Sequence, residues 1–224
     1  MSKVVVYTGA DPTYDSDDTP VGEWQNDEDI TDVTVADGVT EIKRLAFYRC
    51  KGLTNLSFLK GSSITTFGSG AFQESGVASL QGVKRVRWIG HCAFADCTDL
   101  HTIEGLGCEE MDWGCFWGCI LLQSMKGWPA SMTVIPAGCF SRCTGMSTVD
   151  CNLSRVTSIG PNAFVGCTSL LPPSLSKKDA DPAAVLAYLK EMASNERDAA
   201  RAAELEIENA ARAAELVIAE RAAR

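Results

Sequence analysis

Apolar residues recur along this chain at a spacing of 22 to 25 residues, far longer than the period of a helix or a strand. The spacing is marked by six Phe residues that each follow a small residue: Phe47, Phe72, Phe94, Phe116, Phe140 and Phe164. Five other positions of the repeat are apolar or Cys in nearly every copy. They lie eight and five residues before each Phe, and three, six and nine residues after it. A period in the low twenties is typical of a solenoid, in which each repeat buries its apolar face by stacking on its neighbours.

The repeat predicts two short strands in each rung of the solenoid. One wall is expected to contain strands at Ile30–Val35, Leu53–Phe58, Leu100–Leu106, Leu122–Trp128 and Met146–Leu153. A second wall is expected to contain shorter strands, with examples at Val39–Ile42 and Val156–Ile159. Three glycines four residues before a Phe are interpreted as tight-turn residues that need a permissive backbone: Gly68, Gly90 and Gly160. The predicted fold is mainly a β solenoid of about six to seven rungs over residues 30–173, after an N-terminal strand and acidic loop over residues 1–29.

Two stretches show the repeat most clearly, Val39–Cys50 and Val156–Cys167. Their pattern resembles the BspA-type leucine-rich repeat, and the likeness extends over residues 30–171. Two repeats depart from it, since Ser75 replaces the Cys of the second repeat and the fourth repeat lacks the usual aliphatic pair. The family is known for surface adhesins in bacteria and some protists, and for intracellular copies in algae and other microbial eukaryotes. The resemblance implies a binding role and no enzymatic activity.

The ten cysteines are numerous enough for a disulfide framework or a zinc site, but their positions follow the repeat. Five lie three residues after a Phe and two lie directly before one: Cys50, Cys97, Cys119, Cys143 and Cys167, and then Cys115 and Cys139. Free Cys behaves as a small buried hydrophobe, so we expect these columns to be free thiols in the core. A zinc site built from the two pairs in the fourth and fifth repeats is the alternative, although four ligands would have to converge.

Charge and motif content narrow the possible functions. The formal net charge of −9 argues against nucleic-acid binding, which needs a basic surface. No run approaches the length of a membrane span, and residues 1–9 do not form a signal peptide, so an intracellular location, cytoplasmic or organelle-associated, is expected. With only His91 and His101, and with no phosphate loop or nucleophile elbow, we expect no catalytic residues and no cofactor. Residues 11–29 hold eight acidic residues, which favours a solvated loop over a calcium loop because EF-hand spacing is lacking.

Two parts of the solenoid are candidate partner surfaces. Outward-facing residues of the first wall would form a sheet surface that is either a plain solvent face or a ligand surface: Asn55, Ser57, Thr102, Glu104, Ser124, Lys126, Thr148 and Asp150. Trp113 and Trp117 occupy turn positions that are mostly polar or small in other repeats, and Trp88 lies in the same middle region. Exposed Trp is common in binding hot spots, so these three are predicted to contact a partner unless another part of the chain covers them.

The composition changes sharply after Pro172 and Pro173. Asp181 followed by Pro182 has the form of an N-cap and a first helical residue. Residues 183–224 contain no Gly or Pro and are rich in Ala, which predicts that the segment 174–224 is a short linker followed by one long α-helix. An eleven-residue repeat within it keeps an apolar stripe nearly straight. A free helix is possible, but we expect a docking helix or coiled coil that uses Leu205, Ile207, Leu216 and Ile218.

Three functional hypotheses follow from the sequence. The first is a non-enzymatic scaffold or subunit of a multi-subunit intracellular assembly, with the solenoid as the interaction surface and the helix as the docking element. The second is an adhesin or ligand receptor that uses the concave sheet. The third and weakest is a thiol redox sensor or metal-binding protein that uses the cysteine columns. Protein partners are expected in the first case, without nucleic acid and without a membrane span.

Overall fold

The computed structural model describes residues 3–9, 24–59, 63–126, 131–149, 155–172 and 181–190, with only the backbone at residues 13–14, 20–21 and 126. The chain divides into two compact units, residues 1–186 and 187–224. Unit 1 contains a β-solenoid of about six turns. Of unit 2, residues 187–190 are described, and they continue a helix, α1, that begins at residue 182.

Parallel strands form two walls of the solenoid. The first wall contains β1 (Lys3–Tyr7), β4 (Ile30–Val35), β6 (Asn55–Phe58), β8 (Ser79–Leu80), β10 (Thr102–Glu104) and β12 (Ser124–Lys126). The second wall contains β5 (Glu41–Ile42), β7 (Thr66–Phe67), β9 (Trp88–Ile89), β11 (Glu110–Met111), β13 (Val134–Ile135) and β14 (Ser158–Ile159). An antiparallel pair, β2 (Thr13–Tyr14) and β3 (Pro20–Val21), lies between β1 and β4 in the sequence.

The observed strands follow the predicted pattern but are mostly shorter. The strand at Ile30–Val35 has the predicted bounds, and Leu100–Leu106 is reduced to Thr102–Glu104. Residues 146–149 are not a strand, and residues 150–153 lie outside the described part. Every second-wall strand among the described residues is two residues long. The predicted long C-terminal helix is described only as far as residue 190, and its remainder lies outside the described residues.

The core of the solenoid is a stack of the six repeat Phe rings. Successive ring centroids lie 5.1 to 5.8 Å apart, and the planes of neighbouring rings differ by 6 to 22°. All six rings are buried, with relative exposures of 0 to 2%. Stacking within this distance range stabilises the core beyond the contribution from burying the rings. We call this stack the ring ladder.

Trp24 is the first member of the ring ladder, whereas the sequence pattern predicts that it lies in the acidic loop. Its ring stacks on Phe47 at 5.3 Å and 10°, and Tyr7 contacts both rings edge-on. The residue two positions later, Asn26, has φ 62°, which matches the φ of 59° at Arg49 two positions after Phe47. Residues 24–29 therefore form part of a first rung and are not a solvated loop.

Left-handed backbone occurs at two positions in each repeat, two residues before the Phe and two residues after it. These positions include glycines such as Gly114 and Gly118, which adopt φ > 0 at low cost. The turn interpretation of Gly68, Gly90 and Gly160 is wrong, because none of the three has positive φ. They are required instead for close approach: a Cβ at Gly68 would lie 2.7 Å from the backbone nitrogen of Arg44 in the preceding repeat.

The cysteine column three residues after each ring residue is a column of hydrogen-bond donors. Each Sγ donates to the main-chain carbonyl of the ring residue one repeat earlier, at 2.9 to 3.1 Å: Cys50, Cys97, Cys119, Cys143 and Cys167. These five thiols are buried. The packing interpretation of the cysteines is therefore confirmed and extended, since Cys supplies a small apolar volume together with a donor for a buried carbonyl.

Burial strongly disfavours the thiolate form of these side chains. It raises the pKa of the Cys50, Cys97 and Cys167 thiols to about 12, and it also raises the pKa of Cys119 and Cys143. The nine cysteines that the structure describes are free and buried. Because a thiolate is the reactive form, the folded core protects these cysteines from alkylation near neutral pH.

We expect the substitution Trp24→Ala to destabilise the solenoid, because it removes the first ring of the ladder and uncovers the face of Phe47 on which Trp24 stacks. The free energy of unfolding should fall by about 3 kcal/mol, at the lower end of the range for aromatic truncation because Trp24 is only half-buried. Trp24→Phe keeps a stacked ring and should cost clearly less. Urea unfolding followed by circular dichroism measures both, and equal losses would contradict the role of stacking.

We expect stability to decrease as the pH rises from about 9 towards 12, because unfolded thiols ionise near 9 while the Cys97 pKa in the fold is about 12. The stabilisation from a raised thiol pKa is complete below the unfolded value and is lost as the pH approaches the folded value. Cys97→Ser removes this titration and keeps a hydroxyl donor. The difference in urea midpoint between wild type and variant should change between pH 8 and pH 10.5, and a constant difference would refute the linkage.

Candidate functional site

The third side of each rung is the turn that carries the ring residue, and we call the stacked turns the turn wall. Trp113 lies on this wall and 45% of its surface is exposed. Its indole stacks on the ring of His91 in the preceding repeat, with centroids 4.9 Å apart and planes at 16°. A Cβ at Gly138 in the following repeat would lie 3.3 Å from the indole. Trp113 therefore lies across three repeats and is held flat against the turn wall.

Trp117 lies on the same turn, on the other side of Phe116, and is half-buried. The guanidinium carbon of Arg142 lies 5.2 Å from the centroid of its ring, a distance at which a cation–π attraction operates. The main-chain N–H of Trp117 donates to the carbonyl of Gly114, so the turn fixes the backbone from which this side chain projects. The prediction that both Trp residues occupy an accessible turn surface agrees with these positions.

Two further apolar side chains are exposed on the turn that follows directly, and neither was predicted from the sequence. Ile120 is 43% exposed and Leu121 is 51% exposed. The signal was available in the repeat, because the position of Ile120 is occupied in the other repeats by Lys51, Gly76, Thr98, Thr144 and Thr168. We call Trp113, Trp117, Ile120 and Leu121 the repeat-four surface.

Trp88 does not belong to the repeat-four surface. It lies in β9 on the second wall, where it pairs with Thr66 on one side and Glu110 on the other. It is half-buried between these neighbouring strands. The three candidate tryptophans are therefore on two different walls.

The first wall does not form the continuous polar sheet that the sequence predicts. Its strands fall into two separate sheets, β1-β4-β6 and β12-β10-β8. Exposed Asn55 lies on one sheet, where its amide donates to Asp32 at 2.8 Å. Half-buried Thr102 and exposed Glu104 lie on the other, paired with Ser124 and Lys126. The interruption occurs at the second repeat, which is shortened between Phe72 and Leu80.

The remaining candidate residues are separate from these sheets. Thr148 is exposed and lies outside the strands. Asp150 lies outside the described residues, as do the four apolar candidates of the predicted C-terminal helix, Leu205, Ile207, Leu216 and Ile218.

Four charged residues of the turn wall interact across repeats: Arg49, Glu74, Asp96 and Arg142. Arg49 donates to the carboxylate of Glu74 at 2.9 Å. Burial, together with the nearby charge of Glu74, raises the pKa of Asp96, and Arg142 acts in the opposite direction. A cleft of about 500 Å³ opens beside this row, lined by Lys51, Glu74, Ser75, Gly76, Asp96, Thr98 and Asp99. These charged side chains therefore join neighbouring repeats by electrostatic interactions, of which the Arg49–Glu74 ion pair is attractive.

Two properties of the described residues concern other kinds of site. No three His, Cys, Asp or Glu side chains among them are grouped so that they could hold a metal ion. No helix within the described ranges has the length and apolar character needed to cross a membrane.

Comparisons with solved structures show the fold. A leucine-rich repeat protein of T. pallidum is 20% identical with a TM-score of 0.61, over 76% of this chain and 79% of that chain. A leucine-rich repeat protein from Bacteroides ovatus is 23% identical with a TM-score of 0.52, over 73% of this chain and 49% of that chain. A search of curated protein sequences gives no match.

The family comparison covers most of the solenoid. The model of the BspA type leucine rich repeat region matches in six copies, over residues 22–147 and 65–178. The match begins at residue 22 and so includes Trp24, in agreement with its place in the first rung. This chain therefore belongs to the BspA-type leucine-rich repeat family.

Proposed function

We propose that this protein is a non-enzymatic scaffold that binds a protein partner through the repeat-four surface. The BspA-type repeat is a protein-interaction or cell-surface repeat, and leucine-rich repeat solenoids are typically non-enzymatic. The observation that carries the proposal is the concentration of four exposed or half-buried apolar side chains, Trp113, Trp117, Ile120 and Leu121, on two consecutive turns of one repeat.

The core does not need these side chains, because Phe116 and Cys119 already fill it in this repeat. Burying the exposed half of Trp113, roughly 100 Å², would contribute about 2.5 kcal/mol to binding at about 25 cal/mol per Å². Arg142 beside Trp117 adds a polar group at the margin, which is the usual arrangement around a hot spot. Several exposed apolar side chains in one repeat, with a charged group beside them, favour a protein partner over a small polar ligand.

The proposal extends to the assembly and to its location. Helix α1 starts at an Asp181 cap, whose side chain accepts from the N–H of Ala183 at 3.1 Å. The Ala-rich sequence that follows suits a second docking element, which would join the scaffold to a multi-subunit assembly. An intracellular location is supported by the cysteine column, since its hydrogen bonds require reduced thiols.

We expect Trp117→Ala to weaken recovery of the endogenous complex by about tenfold or more while the solenoid stays folded, because hot-spot truncations cost about 2 kcal/mol or more. The matched control is Gln73→Ala, which changes the same turn position in the second repeat. Native mass spectrometry of the affinity-purified complex measures occupancy, and thermal unfolding checks the fold. Unchanged occupancy in the Trp117 variant, or an equal loss in the control, would refute the proposed surface.

We expect a chain truncated after residue 190 to keep a folded solenoid but to lose the larger assembly. The truncation keeps α1 because Pro182 and Val185 lie beside Ile159 and Phe164 at the last repeat. Size-exclusion chromatography with light scattering gives the mass of the purified complexes. A truncated chain that still co-purifies in the full assembly would contradict docking through the C-terminal segment. An assembly found at the cell surface would favour the adhesin hypothesis.

A further inference from the structure

The first wall is interrupted between β6 and β8, and the interruption leaves core positions open. No backbone hydrogen bond joins β6 to β8 among the described residues, although each pairs with a strand on its other side. Leu56 and Phe58 of β6 are half-buried, whereas the paired residues Val33 and Val35 of β4 are fully buried. Side chains that stacking covers elsewhere are thus accessible at this rung.

The cause of the interruption lies in the length of the second repeat. Its apolar residue after the turn, Val77, falls one position early, and β8 is only two residues long. Gly76 still donates to the carbonyl of Cys50 at 3.2 Å, so the two rungs are joined before the strands and separate along them. The gap between β6 and β8 therefore follows from the shorter sequence of the second repeat.

A cleft of about 590 Å³ occupies the opening. One side is apolar and includes Leu56, Phe58 and Leu59, of which Leu59 is 45% exposed. The other side carries Lys84 and Arg85, both exposed. Neither cation forms an ion pair with a carboxylate in the described part of the chain. In a chain with a net charge of −9, these two cations beside an apolar floor give the cleft a local positive charge.

We propose that this cleft binds a short extended peptide of a partner protein that carries apolar side chains next to carboxylates. The apolar side chains would cover Leu56, Phe58 and Leu59, and the carboxylates would pair with Lys84 and Arg85. An extended backbone suits the site because no described strand forms backbone hydrogen bonds with this side of β6, and such an edge is the one used in β-strand addition. The cleft lies on the first wall, so it is distinct from the repeat-four surface and does not depend on it.

Fluorescence anisotropy with a fluorescein-labelled peptide of alternating Leu and Glu tests the proposal on the full chain. The wild-type protein should bind this probe with a dissociation constant below about 100 μM, and the affinity should fall with added salt. A peptide with Lys in place of Glu should bind at least about tenfold more weakly because it would repel the two cations. Absence of binding at about 1 mM protein, or equal binding of both peptides, would overturn the proposal.

Charge-matched variants locate the site. The double variant Lys84→Glu with Arg85→Glu should weaken binding by about tenfold or more, since two charge-assisted contacts are reversed. The control, Arg44→Glu with Lys51→Glu, makes the same change in net charge at exposed cations outside the cleft and should change affinity less than about twofold. Equal effects of the two double variants would mean a non-specific charge attraction and would overturn the assignment.

Two further readouts separate the peptide from other occupants. Bound probe should slow hydrogen exchange in residues 55–59, and unchanged exchange there would contradict strand addition. Replacing Asp15, Asp17 and Asp18 by Asn should leave probe affinity unchanged. If that variant binds the probe about tenfold more tightly, the chain's own acidic segment is the occupant and the proposal of a partner peptide is overturned.

Discussion

Ring-on-ring stacking is the constraint on which the rest of this fold depends. Each repeat must return a Phe to within about 6 Å of the preceding ring, and that requirement sets the length and phase of every rung. The left-handed positions two residues before and after each ring follow from it, because the turn must present the ring inward. The thiol column follows as well, since the buried carbonyl of a ring residue accepts the main-chain N–H three residues later and has a second lone pair that a small donor in the next repeat can reach.

The stack also determines where function can be located. Residues on the repeat columns are committed to packing, so surface chemistry must come from positions at which a repeat departs from its neighbours. The second repeat departs in length and opens the first wall beside Phe58. The fourth repeat departs in composition and places apolar residues, Trp113 among them, on the turn wall. One departure supplies an open strand edge and the other an exposed patch, and both leave the ring ladder intact.

Much of the architecture could be predicted from the sequence because the same apolar pattern occurs in six copies. The apolar columns predicted the solenoid, its two strand-bearing walls and the burial of the cysteines, and the Trp113 and Trp117 positions were placed on the correct turn. Trp24 was missed because an indole replaces the phenyl ring and acidic residues surround it, although it lies 23 residues before Phe47. The interrupted sheet was missed because one residue fewer in a repeat changes strand pairing, and pairing is decided by backbone geometry that residue types do not record.

The roles of the glycines also depend on backbone geometry that residue types do not record. A glycine in a repeat is compatible with a left-handed turn or with close backbone approach, and the two are distinguished by its φ angle and its neighbours in the fold. Gly68 serves close approach, whereas Gly114 serves the turn. The candidate site was predictable in part, because Ile120 and Leu121 differ from the residues at their columns, but their joint exposure with the tryptophans emerges only from the folded turn.

The central claim is that partner binding occurs where a repeat departs from the columns and not along the regular turns. Hydrogen exchange measured by mass spectrometry on the free protein and on the purified endogenous complex tests it most directly. The account predicts slowed exchange in residues 112–121 of the complex, with unchanged exchange in the equivalent turn at residues 43–52. Protection confined to residues 43–52, or spread equally over all the turns, would contradict it.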